Sequence, residues 1–424
     1  MSIYYSLTSN QNVKINNKHA ILDLIRFTPG GISRVEIARR MALSRAAVTT
    51  IVNDLLASQI IREAESIIVR NGRPPIVLEI NPMFGQVVGC DFGASHLRVL
   101  IADLSARILD EIEIELDIQR GPEDCMAEAD RLLRERLTSV GLDLDNILAA
   151  GVGVPGSIVT EAGMVLSPPL MPGWDQYPIR AALEKRWGFA VSLNNDAELG
   201  ALGEWAAGAG RGEANLAYIK VGTGIGAGLL LDGRIYRGVS GSAGEIGHLT
   251  IDENGPFCTC GNQGCLEAIA GGRAIALQAQ EAVRKGKRTQ LTAIQPVESI
   301  SAREVASAAR RGDLLAQQIL AKAGTHIGIA IAGLINLFNP GMIVIGGGVA
   351  QTGDLLLEPM RQAVRTRSLP ASTRVVRITT AILGRRSSAM GAVTQALTIA
   401  LHQVTDRKEV RFTQAARLES LVTQ

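Results

Sequence analysis

Three cysteines and a histidine carry the sharpest chemical signal in the chain: His248, followed by Cys258-Thr259-Cys260-Gly261-Asn262-Gln263-Gly264-Cys265. One imidazole and three thiolates form the ligand set of a closed tetrahedral zinc site, with no position left over to activate water. The zinc is therefore expected to be structural, folding its loop and aiming the neighbouring Glu245 and Glu267. Carboxylates held beside such a loop suit bidentate acceptance of paired sugar hydroxyls, although solvated surface glutamates read the same way. The five cysteines in 424 residues do not make a disulfide framework, and the crowding of three of them points to metal in a reducing cytosol.

Two strand-turn-strand patterns place glycines where a phosphate can be cradled. In the first, a strand from Val87 runs through Asp91-Phe92-Gly93-Ala94-Ser95 into a second strand, Leu97 to Ala102. Gly93 permits close backbone approach, Ser95 offers a hydroxyl, and Asp91 can hold a metal-bound water. In the second, within Leu216 to Leu231, Gly222, Gly224, Gly226 and Gly228 alternate around Thr223, whose loop can present N–H groups to phosphate. The two lie about 130 residues apart and predict a duplicated two-lobed architecture with a nucleotide between the lobes, two ordinary hairpins being the competing interpretation.

Asn195 and Asp196 end the strand Ala190 to Leu193 and open a helix, Leu199 to Ala207, at a strand edge of the kind that borders clefts. An Asp there suits a general base that takes the proton from an attacking sugar hydroxyl, with Asn195 orienting the sugar. The same pair also makes an ordinary helix cap. Gly346-Gly347-Gly348 after the strand Met342 to Ile345 lets backbone approach an adenosine, and Ser388-Ala389-Met390-Gly391-Ala392 opens a small-residue helix for which, taken alone, plain packing is the preferred reading. Gly151 to Gly156 fits G-x-G-x-x-G, but a hairpin over Ser157 to Val165 follows it in place of a helix. It is no dinucleotide fingerprint, and the chain has no P-loop.

The elements ahead of these motifs differ in character. Residues 1–85 hold ten Lys or Arg against six Asp or Glu, an excess that fits nucleic acid, while the whole chain is only +2. Ile15, Ile21, Leu22 and Ile25 define a first helix over 15–28. Ser33 to Glu36 reads as a capping box opening a second helix with Val35, Ala38 and Met41 as its apolar face. After a short turn, Ser44 caps a third helix whose Val48, Ile51, Val52 and Leu55 repeat at helical spacing. This predicts a helix-turn-helix with Ser44, Arg45, Thr49 and Thr50 facing a major groove. Ser66 to Val69, the turn Asn71 to Pro74 and Ile76 to Ile80 predict a wing with Arg73 at its tip, aimed at a minor groove. A small helical dimerisation element is the alternative. Proteins of this kind usually dimerise on paired half-sites, so a homodimer or a dimer of dimers is expected.

Glycine makes up 45 of the 424 residues without a repeat period, which assigns glycines to turns and ligand loops. The N-terminus lacks a secretory pattern, and apolar stretches such as Ile327 to Phe338 read as too short to span a bilayer. No membrane partner and a cytoplasmic location are expected.

In order along the chain, Asp91 to Ser95, Gly151 to Gly156, Asn195-Asp196, Gly222 to Gly228, Glu245-Ile246-Gly247-His248, the cysteine cluster, Gly346 to Gly348 and Ala389 to Ala392 resemble the ROK family, named for repressor, open reading frame and kinase. With the winged helix in front, the resemblance is to its transcriptional-regulator branch. It implies an α/β protein, a winged helix-turn-helix followed by a two-lobed actin-like/hexokinase-like (ribonuclease H-like) domain. It further implies sugar contacts from Gly156, Asn195, Asp196, Glu245, His248 and Glu267, and catalysis by Asp196 if the chain is a kinase. His248 would touch both zinc and sugar. Asp91, Gly93, Ser95, Gly222, Thr223 and Gly224 would match the phosphate region of an ATP/Mg site, and Gly347 and Gly348 would approach adenosine. Two departures fall here: Ala94-Ser95-His96 stands where the family's kinases favour Gly-Thr-Lys, and Glu198 stands for a usual Asn.

The expected division is 1–82 for DNA binding and 83–424 for the effector domain, with lobe one at about 83–200 plus the C-terminal helix and lobe two at about 201–385. The expected function is a sugar-responsive transcriptional regulator, most simply a repressor of carbohydrate genes, bound to operator DNA and to a sugar or sugar phosphate. An ATP-dependent sugar kinase is the alternative.

Overall fold

The computed structural model describes residues 10–65, 76–166, 168 and 171–406. The N-terminal unit comprises α1 (Asn10–Arg26), α2 (Arg34–Met41), α3 (Arg45–Ala57), β1 (Ile61–Glu65) and β2 (Ile76–Ile80). Ser33 and Ser44 cap α2 and α3, their hydroxyls accepting from the amides of Glu36 at 3.3 Å and Ala47 at 3.2 Å. The Ser33 cap is one-sided, because the Glu36 carboxylate binds Arg39 and Arg40 and does not return to the cap.

Val48, Ile51, Val52 and Leu55 bury one face of α3, as their spacing requires. The inward faces of α1 and α2 differ from expectation. Ile15 and Val35 are exposed; burial in α1 begins at Ile21, and α2 turns Ile37 and Ala38 inward. The strand paired with β2 is β1, in register from Ile61 opposite Ile80 to Glu65 opposite Ile76, so the hairpin starts earlier than read. Ser66 to Val69, the turn Asn71 to Pro74 and Arg73 lie outside the described residues.

Next in the chain are β3 (Gln86–Phe92), β4 (His96–Asp103), β5 (Ile108–Glu115), α4 (Pro122–Ser139), β6 (Ile147–Val154), the hairpin β7 (Ser157–Val159) and β8 (Met164–Leu166), α5 (Ile179–Trp187), β9 (Ala190–Asn195) and α6 (Asp196–Ala207). Then follow β10 (Leu216–Val221), β11 (Ile225–Leu231), β12 (Arg234–Ile235), α7 (Leu266–Ala270), α8 (Gly272–Arg284), α9 (Ala302–Arg310), α10 (Leu314–Phe338), β13 (Met342–Gly346), α11 (Asp354–Arg367), α12 (Pro370–Thr373), β14 (Arg377–Thr380) and α13 (Ser387–Asp406).

Two five-stranded sheets result, ordered β5-β4-β3-β6-β9 and β12-β11-β10-β13-β14. Numbered within its own half, each runs third, second, first, fourth, fifth. In each half the first three strands form an antiparallel meander and the last two add in parallel. The parallel additions cross over through helices, as parallel pairing demands. This identical topology is the duplication that the two glycine hairpins announce.

The helix α10 is 25 residues long and apolar enough to cross a membrane, so its length does not argue against a span as the run Ile327 to Phe338 suggested. Its apolar face, including Ile327, Ile331 and Ile335, is instead buried in the core of the second half, against α11 and the second sheet.

α6 and α13 cross at backbone distance: a Cβ on Gly391 would strike the Leu199 carbonyl, and one on Gly203 the Ser387 carbonyl. Beyond that crossing, α13 continues beneath the N-terminal unit. One hydrophobic core contains Ile21, Leu22, Val52 and Leu78 of that unit, Leu100 and Ala149 of the first sheet, and Val393, Leu397 and Leu401 of α13. Each such fully buried aliphatic side chain contributes at most about 1.5–3 kcal/mol, so the helix-turn-helix is bonded to the rest of the chain as one packed body. Arg26 adds a polar tie, donating to the Thr398 hydroxyl at 3.0 Å and the Thr394 carbonyl at 2.8 Å. Burial pulls its guanidinium down to about 10, with Asp23 opposing the shift.

Candidate functional site

A cavity of about 590 Å³ opens between the two sheets, lined from both halves. Gly156, Asn195, Asp196, Glu245, His248 and Glu267 all border it, as do Asp91, Gly93, Ser95, Gly222, Thr223, Gly224, Gly347 and Gly348. The residues expected to contact sugar and those expected to contact nucleotide therefore share one cleft.

The strand ends and helix starts around it explain this convergence. α6 begins three residues earlier than the sequence pattern suggests, at Asp196, because Asn195 caps it: its Oδ1 accepts from Ala197 N at 2.8 Å and Glu198 N at 3.2 Å. The Asn195 amide also donates to the Gly156 carbonyl at 2.9 Å, so this side chain ties the β6–β7 turn to the start of α6. The cap residue also lines the cleft. Asp196 occupies the first position of α6, where the helix dipole favours its carboxylate.

Glu267 is fixed by the glycine loop. Its Oε2 accepts from Ile225 N at 2.9 Å, in space that a Cβ on Gly224 would fill. The start of α8 closes the loop from behind, with Gly272 N and Arg273 N donating to the carbonyls of Gly222 and Thr223. Glu245 accepts the Ser157 hydroxyl at 3.0 Å, and its other oxygen lies 3.9 Å from His248 Nε2.

The opposite ring nitrogen, His248 Nδ1, lies 3.7 Å from Cys258 Sγ, and Cys260 Sγ lies 3.7 Å from Cys265 Sγ. All four ligand atoms fall within 4.8 Å of one another. Metal–sulfur bonds of about 2.3 Å in tetrahedral geometry give ligand–ligand edges of about 3.7–3.8 Å, so the donor set fits zinc in number, type and spacing. With the metal on Nδ1, the imidazole presents Nε2 toward Glu245.

Glu198 leaves the cleft. It is buried, takes Arg237 Nε at 3.1 Å, and shares that arginine with Asn194, whose Oδ1 accepts at 2.9 Å. Burial pushes the Glu198 carboxyl above the ordinary range against the pull of Arg237. Gly93 is covered: the His96 imidazole packs over it, with Nε2 3.5 Å from Asp91 Oδ2.

Lys220 escapes a motif-based reading. It sits on β10 beside the glycine loop, and its Nζ donates to Asp196 Oδ2 at 2.7 Å. Burial alone pulls its ammonium down, but Asp196 and then Asp91 push it above the usual lysine range. The available signal was a lone charge in the otherwise apolar run Leu216 to Val221.

On the N-terminal unit, Ser44, Arg45, Thr49 and Thr50 are exposed along the start of α3. The Thr49 and Thr50 hydroxyls donate back to the carbonyls of Arg45 at 2.8 Å and Ala46 at 3.1 Å.

Two lobes of repeated topology around a cleft with an Asp at a helix start, joined to a helix-turn-helix, define a sugar-kinase-like fold carrying a DNA-binding module. Residues 87–399 match the ROK family model, and the chain belongs to the ROK family. It is 32% identical over 363 residues to a putative xylose repressor of Caldicellulosiruptor sp. (strain Rt8B.4), covering 85% of this chain and 90% of that protein. A crystal structure of a ROK family transcriptional regulator, a homologue of the E. coli MLC protein, superposes with a TM-score of 0.79 at 29% identity, covering 93% of this chain and all of that one. The ROK family glucokinase from Streptomyces griseus, solved with glucose and AMPPNP, superposes with a TM-score of 0.64 at 29% identity, covering 74% of this chain and 99% of its own. The regulator's coverage is too large to leave out the helix-turn-helix.

Proposed function

We propose that this chain is a sugar-responsive DNA-binding transcriptional repressor, in which residues 83–424 hold the sugar and residues 1–82 hold operator DNA. The observation that carries this reading is the shared core: α13 starts at the cleft, bonded to Asp196, and ends packed on the helix-turn-helix. Effector site and DNA-reading unit thus rest on one helix.

Glu245, His248 and Glu267 supply acceptors and one imidazole on the wall of the second half, while Asn195 and Asp196 face them from the first. A sugar bridging the two walls favours a closed arrangement of the lobes, and closure displaces the start of α13 and α1 with it. An effector that prefers one arrangement about 100-fold supplies roughly 2.7 kcal/mol, enough to empty an operator. His248, Cys258, Cys260 and Cys265 hold a structural zinc, which keeps Nε2 of His248 turned to the sugar side. Two copies of α3 on a homodimer read paired half-sites, and the genes controlled belong to carbohydrate uptake or catabolism.

The test is fluorescence anisotropy of the full-length protein on DNA from upstream of its own gene, at stated salt, titrated with free and phosphorylated sugars. Specific binding that one sugar reverses is the expected result. No specific binding with any sugar would remove the regulatory reading.

A second reading, an ATP-dependent sugar kinase, is favoured by Arg273, Arg303 and Arg310 lining the same cavity as the glycine loop and Asp196. Their positive charge suits a polyphosphate chain.

A further inference from the structure

The choice between these readings turns on what stands between the two acidic groups of the cleft. Asp91 lies next to last in β3 and Asp196 opens α6; Lys220, on β10, bonds Asp196 at 2.7 Å and is attracted by the charge of Asp91. We propose that the Lys220 ammonium is the resident cation of this cleft, standing where phosphoryl transfer requires a free base and a divalent metal, so that the cleft senses a sugar without phosphorylating it. This rests on the sugar-binding reading above and assigns the site its regulatory character.

Three observations carry the inference. First, Asp196 Oδ2 already accepts a charge-assisted hydrogen bond from Lys220 Nζ at 2.7 Å. That oxygen is therefore occupied by the ammonium and must release it before a sugar hydroxyl can take its place. Second, Asp91 is enclosed. Its side chain is 2% exposed, Oδ2 faces His96 at 3.5 Å, and Oδ1 has no hydrogen-bond partner. That orphaned oxygen is where a hydrated metal would be held, while His96 stands against the other oxygen of the same carboxylate and the Lys220 charge attracts it from β10. Burial works against the Asp91 charge, yet Lys220 and then His96 and Arg98 keep the carboxyl below its ordinary range. Third, the ammonium is fixed by its setting. The Lys220 side chain is 17% exposed, and β10 is the middle strand of its sheet, paired at this position with Gly226 and Gly346.

The residues present therefore do not fit an ATP/Mg site of the kinase kind. A divalent ion at Asp91 would meet the ammonium as a like charge in a poorly solvated cleft. With Lys220 in place, part of the charge of the two carboxylates is already met by a cation, and a neutral sugar adds none.

The experiment uses the full-length, zinc-loaded protein and Mn²⁺ alone as the probe, with free Mn²⁺ read by electron paramagnetic resonance. Wild type is expected to take up no Mn²⁺ that depends on Asp91. Lys220→Gln is expected to bind about one ion per chain at least tenfold more tightly, a gain that a second substitution, Asp91→Asn, abolishes. Lys220→Arg keeps the charge and is expected to exclude the ion as wild type does. Wild-type Mn²⁺ binding that Asp91→Asn removes overturns the proposal, and this comparison stands even if Lys220→Gln fails to fold. Sugar phosphorylation by wild type with MgATP that Lys220→Gln abolishes also overturns it, making the lysine a phosphate ligand. Sugar-dependent DNA release is measured on the same samples. Its absence alongside the expected Mn²⁺ result counts against the regulatory reading and leaves the role of Lys220 intact.

Discussion

Ser388 donates its hydroxyl to the main-chain carbonyl of Asp196 across 2.7 Å, pinning the first turn of α13 to the first residue of α6. Six residues further along α13, the Thr394 carbonyl accepts from Arg26 of α1, and the Thr398 hydroxyl accepts from the same guanidinium. At its far end His402 stacks on His19 with ring centroids 4.0 Å apart. A rigid helix thus runs from the cleft to the DNA-binding unit, with polar pins along its length.

Replacing Ser388 by Ala removes one pin and leaves the packing in place, at a cost of about 0.5–1.5 kcal/mol. Sugar affinity and sugar-free DNA affinity should each change by only a few fold, while the ratio of DNA affinities without and with sugar should fall several fold. Calorimetry and anisotropy on the same protein check this. An unaltered ratio would take Ser388 out of the coupling.

Metal removal acts on the other wall. Cys258→Ser and Cys265→Ser should each lower bound zinc, and with it the sugar response, because an unanchored His248 no longer holds Nε2 near Glu245. Metal content by mass spectrometry and DNA release by anisotropy are the paired readouts. A full response in a zinc-free protein would rule out the scaffold role.

Asp196→Asn keeps the shape and one acceptor for Lys220 but deletes the compensating charge. The variant should melt lower, by about 1–3 kcal/mol of stability, because a buried ammonium loses a partner. Its sugar affinity should drop, yet saturating sugar should still release DNA to nearly the wild-type extent. Any phosphoryl transfer should vanish. Loss of DNA release at saturating sugar, in a folded protein, would contradict regulation as the main role.

Much of this architecture was legible because its signals are local. The cysteine spacing, the glycine hairpins and the stripe Val48, Ile51, Val52, Leu55 each specify their structure within about ten residues. Asn195 was legible both as a cap and as a candidate site residue, and in the structure the cap also lines the cleft. What escaped depends on tertiary partners. The inward face of α2 is set by what it packs on, so Val35 and Ile37 exchange roles. The return of Glu36 to its cap loses to two nearby arginines. Lys220 carries no motif at all, because its meaning comes from Asp196 and Asp91, which lie on other strands and helices and meet it only once the lobes have formed. Burial of α10 likewise cannot be told from its composition, which suits a bilayer as well as a core.

In the proposed reading DNA contact falls to α3, where Ser44 caps the helix, Arg45 opens it and Thr49 and Thr50 follow one turn later. Arg45 is exposed, and among the described residues its guanidinium makes no ion pair. Both threonine hydroxyls have already spent their proton on the helix backbone and can only accept from a ligand. Arg45 is therefore expected to be the stronger contact of the three. Arg45→Ala should weaken operator binding by about 1–3 kcal/mol, and Thr49→Val and Thr50→Val by less. If Arg45 reads a guanine, the loss is confined to one base position and the salt dependence is unchanged; if it neutralises a phosphate, the loss is uniform across sequences and the salt slope falls by about one. Anisotropy over a set of single-base operator variants at several salt concentrations separates the two. Operator binding unchanged by Arg45→Ala would remove the start of α3 from the interface.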